Sequence, residues 1–192
     1  MGTAARGRAF AMGLVTACTI AVAGCSADPD DQPTEATPSS PTPTDDQTKP
    51  PGNQVTEPTL PADAEGSSIR SAKAFVGYYI DLLNYAMVTG DTKTFRAAGQ
   101  QNCGGCADYV DLFASTYERG GFFKSRGWSL DRVLLGSRSA KQVQFTVTAT
   151  AAPITFRERG GGQLKRSKRD PLDFSLVLEK GGAAWAVRDF FA

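Results

Sequence analysis

Histidine is absent from the chain. Without imidazole, Ser/His/Asp and Cys/His nucleophilic constellations and every metal site built on histidine are excluded. Cysteine is scarce, at Cys18, Cys25, Cys103 and Cys106 only. No further thiol is then free to complete a zinc shell around the last two, and neither a metal nor a cofactor is expected. Long apolar runs are also lacking. The uncharged segment 9–23, about 15 residues, is too short to span a bilayer comfortably.

What that segment does fit is the core of an export signal, with Arg6 and Arg8 before it. The two arginines are not adjacent, so the twin-arginine pattern is not met. The run ends in Val22-Ala23-Gly24-Cys25, which resembles a lipobox. An aliphatic residue stands at −3, small residues at −2 and −1 let a signal peptidase approach the backbone, and the cysteine thiol can take a diacylglyceryl group. Residues 1–24 are read as a lipoprotein signal peptide, and Cys25 as the lipidated N-terminus. The expected location is the extracytoplasmic face of the cell membrane, held by acyl chains such as palmitate.

Charge is segregated along the chain. Residues 26–66 hold Asp28, Asp30, Asp31, Glu35, Asp45, Asp46, Glu57, Asp63 and Glu65 against Lys49 alone, a net charge of about −8. The remainder of the mature chain carries about +7. The acidic stretch is rich in Pro, Thr, Ser and Gln and has almost no large apolar residue. It cannot bury enough surface to offset its ordering entropy, so residues 25–66 are read as a disordered linker reaching ~35 Å or more. A basic globular domain over 67–192 follows.

Within it, Ile69, Ala72, Val76, Tyr79, Leu83 and Ala86 fall at three-and-four spacing, widened by Phe75 and Leu82. This predicts a long helix capped by Ser67 or Ser68 and stopped by Gly90. A short helix from Asp91 to about Ala98 and a third following Cys106 come next, closed by Gly120-Gly121. Beyond Gly127 the period changes. Trp128 to Leu135 reads as a strand, and Val143, Phe145, Val147, Ala149 and Ala151 alternate with Gln and Thr, so that one face is buried. Residues 154–157, 172–178 and 184–191 supply further strands, and Pro153 marks an edge or bulge. Helices followed by a strand meander predict an α+β fold, a curved antiparallel sheet with the long helix in its concave side. This order is similar to the nuclear transport factor 2-like, or cystatin-like, roll.

A closer resemblance rests on Tyr78-Tyr79, Asn84-Tyr85-Ala86, Thr89-Gly90-Asp91-Thr92, Cys103-Gly104-Gly105-Cys106, Tyr117 and Gly120-Gly121. With the lipobox and the Thr/Pro stalk, these resemble an actinobacterial lipoprotein family carrying a domain of unknown function (number 6318). The resemblance covers nearly the whole mature domain and implies location and architecture but no activity.

Three groups of residues are candidates for function. Cys103 and Cys106 are read as a structural disulfide pinning the turn between two helices. The alternative is a redox pair, although its thioredoxin-like form needs the motif directly after a strand. Tyr78, Tyr79, Tyr85, Tyr109 and Tyr117 could line a pocket between helix and sheet. Small enzymes of the roll class use such a pocket with a tyrosine donor and a carboxylate base, for which Asp81 or Asp189 would serve. The alternative is that these rings are core. No carboxylate pair or nucleophile-base pair stands at a usable spacing, so no catalytic residue is assigned.

Arg157, Arg159, Lys165, Arg166, Lys168 and Arg169 surround Gly160-Gly161-Gly162 and predict a basic hairpin tip. Such a tip suits anionic lipid headgroups, a phosphate-bearing wall polymer or an acidic envelope protein, and equally a solvated loop that guards a sheet edge. Nucleic acid is not expected outside the cell. The leading expectation is a non-enzymatic binding module. A small-ligand pocket protein or isomerase/dehydratase-type enzyme of the same fold comes second, and a thiol-disulfide factor third. An enclosed cavity beside Tyr79 would favour the second, and an interior filled by aromatic rings the first.

Overall fold

The computed structural model describes residues 55–182 and 184–191. The signal segment, Cys25 and most of the linker therefore lie outside the described residues. Among those described, no helix is long and apolar enough to cross a membrane.

The first long element is α1, Ile69–Thr89. Its N-terminus is capped by Ser68, whose hydroxyl accepts from the Ser71 N–H at 3.0 Å, satisfying one of the orphan donors of the first turn. Gly90 ends it in the left-handed region at φ 78°, where an L side chain is strained. Any side chain there would also meet the Tyr117 ring, whose Cγ lies 2.4 Å from the position a Cβ would take.

Two helices follow, α2 at Lys93–Ala97 and α3 at Gly104–Glu118. The third begins earlier than the sequence predicts. Cys103 is its N-cap, and Cys106 sits in the first turn with its N–H 3.3 Å from the Cys103 sulfur. The disulfide itself forms the cap rather than preceding the helix.

The strands make two antiparallel sheets instead of one. The larger, in order β2 (Trp128–Arg138), β3 (Gln142–Ala151), β6 (Asp170–Gly181) and β7 (Ala184–Phe191), is the body of the fold. The smaller joins β1 (Phe122–Lys124), β4 (Thr155–Arg157) and β5 (Lys165–Arg166). β1 and β5 escape sequence reading because two or three residues carry no periodicity. β2 and β6 outrun their predicted spans, since pairing along the ladder extends them. Pro153 is not a bulge within a strand. It lies in the break where the chain leaves β3 for the other sheet, a place that needs no ladder N–H.

The predicted alternation of β3 is realised. Val143, Phe145, Val147, Ala149 and Ala151 are buried, and opposite them stand Leu178, Leu176, Phe174, Leu172 and Asp170 on β6. α1 covers this face with Val76, Tyr79, Ile80, Leu82, Leu83 and Ala86, all at most 1% exposed. Each of the Val, Ile and Leu side chains among them contributes on the order of 1.5–3 kcal/mol on leaving water. Ser71, buried on α1, accepts a hydrogen bond from the Trp185 indole N–H at 3.2 Å, which ties helix to sheet without an orphaned donor.

The edges of the large sheet are handled differently. β7 is partly covered, because the Gln100 N–H donates to the Val187 carbonyl at 2.7 Å and the Val187 N–H to Ala98 at 2.9 Å. β2 is open but broken by register shifts at Asp131 and Gly136, and such bulges blunt edge-to-edge pairing.

Packing begins upstream of the predicted boundary at residue 67. A 3-10 turn, Ala62–Ala64, places Ala64 in the core at 1% exposure, and the Thr94 hydroxyl donates to the Glu57 carboxylate. Residues 55–66 therefore belong with the domain rather than with the linker. Their polar composition hides this, because the one fully buried side chain among residues 55–66 is an alanine.

Candidate anion-binding cleft

The five tyrosines do not share a cavity. Tyr78 and Tyr79 are successive on α1 and so point about 100° apart around it. Tyr79 is fully buried, 4.9 Å from the Phe95 ring and 6.5 Å from Phe190 between centroids. Burial pushes its phenol pKa well up, and its hydroxyl has no partner.

Tyr109 stacks on Phe190 at 5.3 Å and meets Trp128 edge-on at 5.7 Å. Tyr117 donates to the Met87 carbonyl at 3.1 Å and lies against the Phe123 backbone, binding the end of α1 to β1. Tyr85 instead lines a shallow surface cleft of about 340 Å³ beside Asp81 and Asn84. Asp81 thus stands away from Tyr79, with partial burial raising its carboxyl pKa. Asp189 faces Arg188 at 3.5 Å. The predicted tyrosine pocket is therefore an aromatic core, with Phe174, Phe190 and Trp128 occupying the space a ligand would need.

A buried hydroxyl without a partner costs free energy. Tyr79→Phe is accordingly expected to leave thermal stability unchanged or raise it by about 1 kcal/mol. A loss of more than that in a melting experiment would mean the hydroxyl has a polar partner in solution.

Cys103 and Cys106 are bonded, with Cα atoms 5.2 Å apart and exposures of 1% and 5%. Burial of both sulfurs hinders attack by an external thiolate and favours the pinning role.

The basic residues divide. The last two turns of α3 present Leu112 and Thr116 on one side, and its C-cap residue Arg119 follows at helical spacing. The β4–β5 hairpin comes against this end because three glycines permit it. The Gly160 N–H donates to the Arg119 carbonyl at 2.7 Å, and Gly120 approaches Gly160 closely. A Cβ on Gly121 would stand 2.2 Å from the Arg157 carbonyl oxygen.

Between helix end and hairpin opens a cleft of about 530 Å³ whose charged lining is Arg119, Arg159 and Lys165 against Glu158. Lys165 and Glu158 pair at 2.6 Å. That hydrogen bond, reinforced by the lysine charge, holds the Glu158 carboxyl below its usual pKa. Arg119 Nε donates to the Glu158 carbonyl at 3.4 Å. The floor includes Thr116, 1% exposed, whose hydroxyl has no partner.

Of the six predicted basic residues, the structure brings Arg159 and Lys165 into this cleft. Arg157 lies beside it, with its guanidinium 5.6 Å from the Phe122 ring centroid. Arg166 is exposed on β5, and Lys168 and Arg169 are exposed in the segment leading to β6. Sequence reasoning missed Thr116 and Arg119. Their three-residue spacing was visible, but nothing local says that this helix end meets a hairpin some 39 residues further along.

Three helices leading into antiparallel strands, with α1 packed over the larger sheet, define an α+β domain of the nuclear transport factor 2-like, or cystatin-like, type. The chain belongs to a family of unknown function, DUF6318, whose model matches residues 44–181. No curated protein matches it in sequence.

Among solved structures it is similar to the intermembrane space region of the chloroplast protein ARC6, at 11% identity over 65% of this chain and 95% of that one, with a TM-score of 0.48. An uncharacterised protein with a cystatin-like fold from Caulobacter vibrioides matches at 9% identity, 62% and 87% coverage and a TM-score of 0.43. A protein of the NTF2-like family from Streptomyces avermitilis matches at 14% identity, 63% and 94% coverage and a TM-score of 0.41.

Proposed function

We propose that this is an actinobacterial-type lipoprotein, acylated on Cys25, whose folded domain binds an anionic component of the cell envelope at the outer face of the membrane without chemistry of its own. One observation carries the reading. The interior beside Tyr79 is packed with rings, whereas a surface cleft of about 530 Å³ is lined by three cations and one carboxylate. A cationic cleft offers a place to hold an anion, while the rings packed around Tyr79 fill the space in which the enzyme reading would put a substrate. The exposed Arg166, Lys168 and Arg169 extend the positive surface beyond the cleft and would steer an anionic partner toward it.

The test is retention on anionic liposomes and on purified wall polymer as ionic strength rises. Binding of the full chain should fall steeply with salt, because charges on an exposed surface are screened within about 8 Å at physiological ionic strength. Reversal of both Lys165 and Arg166 to glutamate should abolish most of it. Retention that ignores salt, or survives the double reversal, would defeat the proposal.

A further inference from the structure

Resting on the anion-binding reading, we infer that the cleft between the end of α3 and the β4–β5 hairpin is a discrete site for a phosphate ester, with Arg119, Arg159, Lys165 and the Thr116 hydroxyl as its donors. Three features select this ligand. Two guanidinium forks and an ammonium supply more donors than the two oxygens of a carboxylate accept, and they suit the several oxygens of a tetrahedral phosphate. The volume of about 530 Å³ exceeds the needs of a bare ion. Leu112, 47% exposed, gives the cleft an apolar wall for the carbon skeleton of an ester.

The negative end of a helix dipole would ordinarily repel an anion. Here the carbonyls of Ser115, Thr116 and Tyr117 in the last turn of α3, and that of its C-cap Arg119, are already occupied. Arg119 N–H donates to Ser115 at 3.2 Å, Gly121 to Thr116 at 2.8 Å, Gly120 to Tyr117 at 2.9 Å, and Gly160 to Arg119 at 2.7 Å. The side-chain cations therefore set the local sign. Thr116 is the second, independent sign of a ligand. A helical threonine ordinarily returns its hydroxyl to a carbonyl one turn back, yet this one is buried and unpaired at the floor of the cleft.

Glu158 acts as an internal competitor. It holds Lys165 at 2.6 Å, so an arriving phosphate must take the ammonium from the carboxylate. Removing the glutamate charge should then strengthen binding, an effect no purely structural role for Glu158 would produce.

The experiment titrates the full chain with glycerol 3-phosphate by calorimetry and, separately, with vesicles of phosphatidylglycerol in phosphatidylcholine. Saturable binding of the soluble ester is expected. Thr116→Val, nearly isosteric and removing an unpartnered group, should weaken it about tenfold with no loss of melting temperature. Glu158→Gln should tighten it about threefold or more.

If vesicle binding is likewise weakened by Thr116→Val, the ligand is a lipid headgroup. If vesicle binding is insensitive while the soluble ester responds, it is a free or polymer-borne phosphate. Salt-dependent vesicle binding without saturable ester binding would sink the discrete site and leave the broader reading standing. Saturable binding that both variants share unchanged with the wild type would place the ester elsewhere and overturn the assignment. Absence of both kinds of binding would remove both proposals.

Discussion

Gly105→Val is expected to lower the melting temperature by roughly 10 °C or more, a loss of about 3 kcal/mol or greater. A Cβ at Gly105 would stand 2.1 Å from the Phe190 carbonyl oxygen and 3.1 Å from its carbonyl carbon. Both are backbone atoms of β7, so no rotamer change relieves the clash. Nor can α3 move away cheaply. Its first turn is closed by the disulfide, and the residues before it are hydrogen-bonded to Val187 from both sides. Lifting the helix would expose Val110, Phe113 and Phe190, each at most 5% accessible.

Gly104→Ala is the matched control. Nothing lies within 4 Å of its would-be Cβ, and alanine is the better helix former by up to about 1 kcal/mol. It should melt at or slightly above the wild-type temperature. Equal melting of the two variants would show that α3 does not rest on β7 in the way described.

On the proposed anchoring, Cys25→Ser should move the protein out of the membrane fraction and leave it as unprocessed precursor. The hydroxyl of serine is not nucleophilic enough to take the diacylglyceryl group, and lipobox cleavage follows that modification. The two or three acyl tails on cysteine supply stable attachment, where a single chain binds only marginally. Fractionation and gel mobility read the result directly. Unchanged membrane association and processing would refute the lipid anchor and with it the location on which the binding proposal depends.

Much of the fold was legible because its longest elements are also its most periodic. The stripe on α1 and the alternation of β3 each span many residues, so burial on one side leaves a pattern in the chain itself. Gly90 announced its helix end, and the three-residue spacing of Cys103 and Cys106 announced a bridge. Tyr79 was legible as helical and apolar-facing, but its ring packs on Phe95 and Phe190, the latter more than 100 positions away, and local pattern says nothing about such partners. β1 and β5 exist only because β4 lies between them. Residues 55–66 joined the domain through Ala64, a side chain too small to stand out in an acidic, proline-rich stretch.

From sequence alone came the α+β class, the order of helices and strands, the basic hairpin and the expectation of export, since each is written in local composition, spacing or period. Tertiary structure decided that the tyrosines fill a core instead of lining a pocket, and that Thr116 and Arg119 face Arg159 and Lys165 across a cleft. Those outcomes depend on which distant side chains meet when a helix end and a hairpin are brought together, and contact between remote residues has no signature in either segment taken separately.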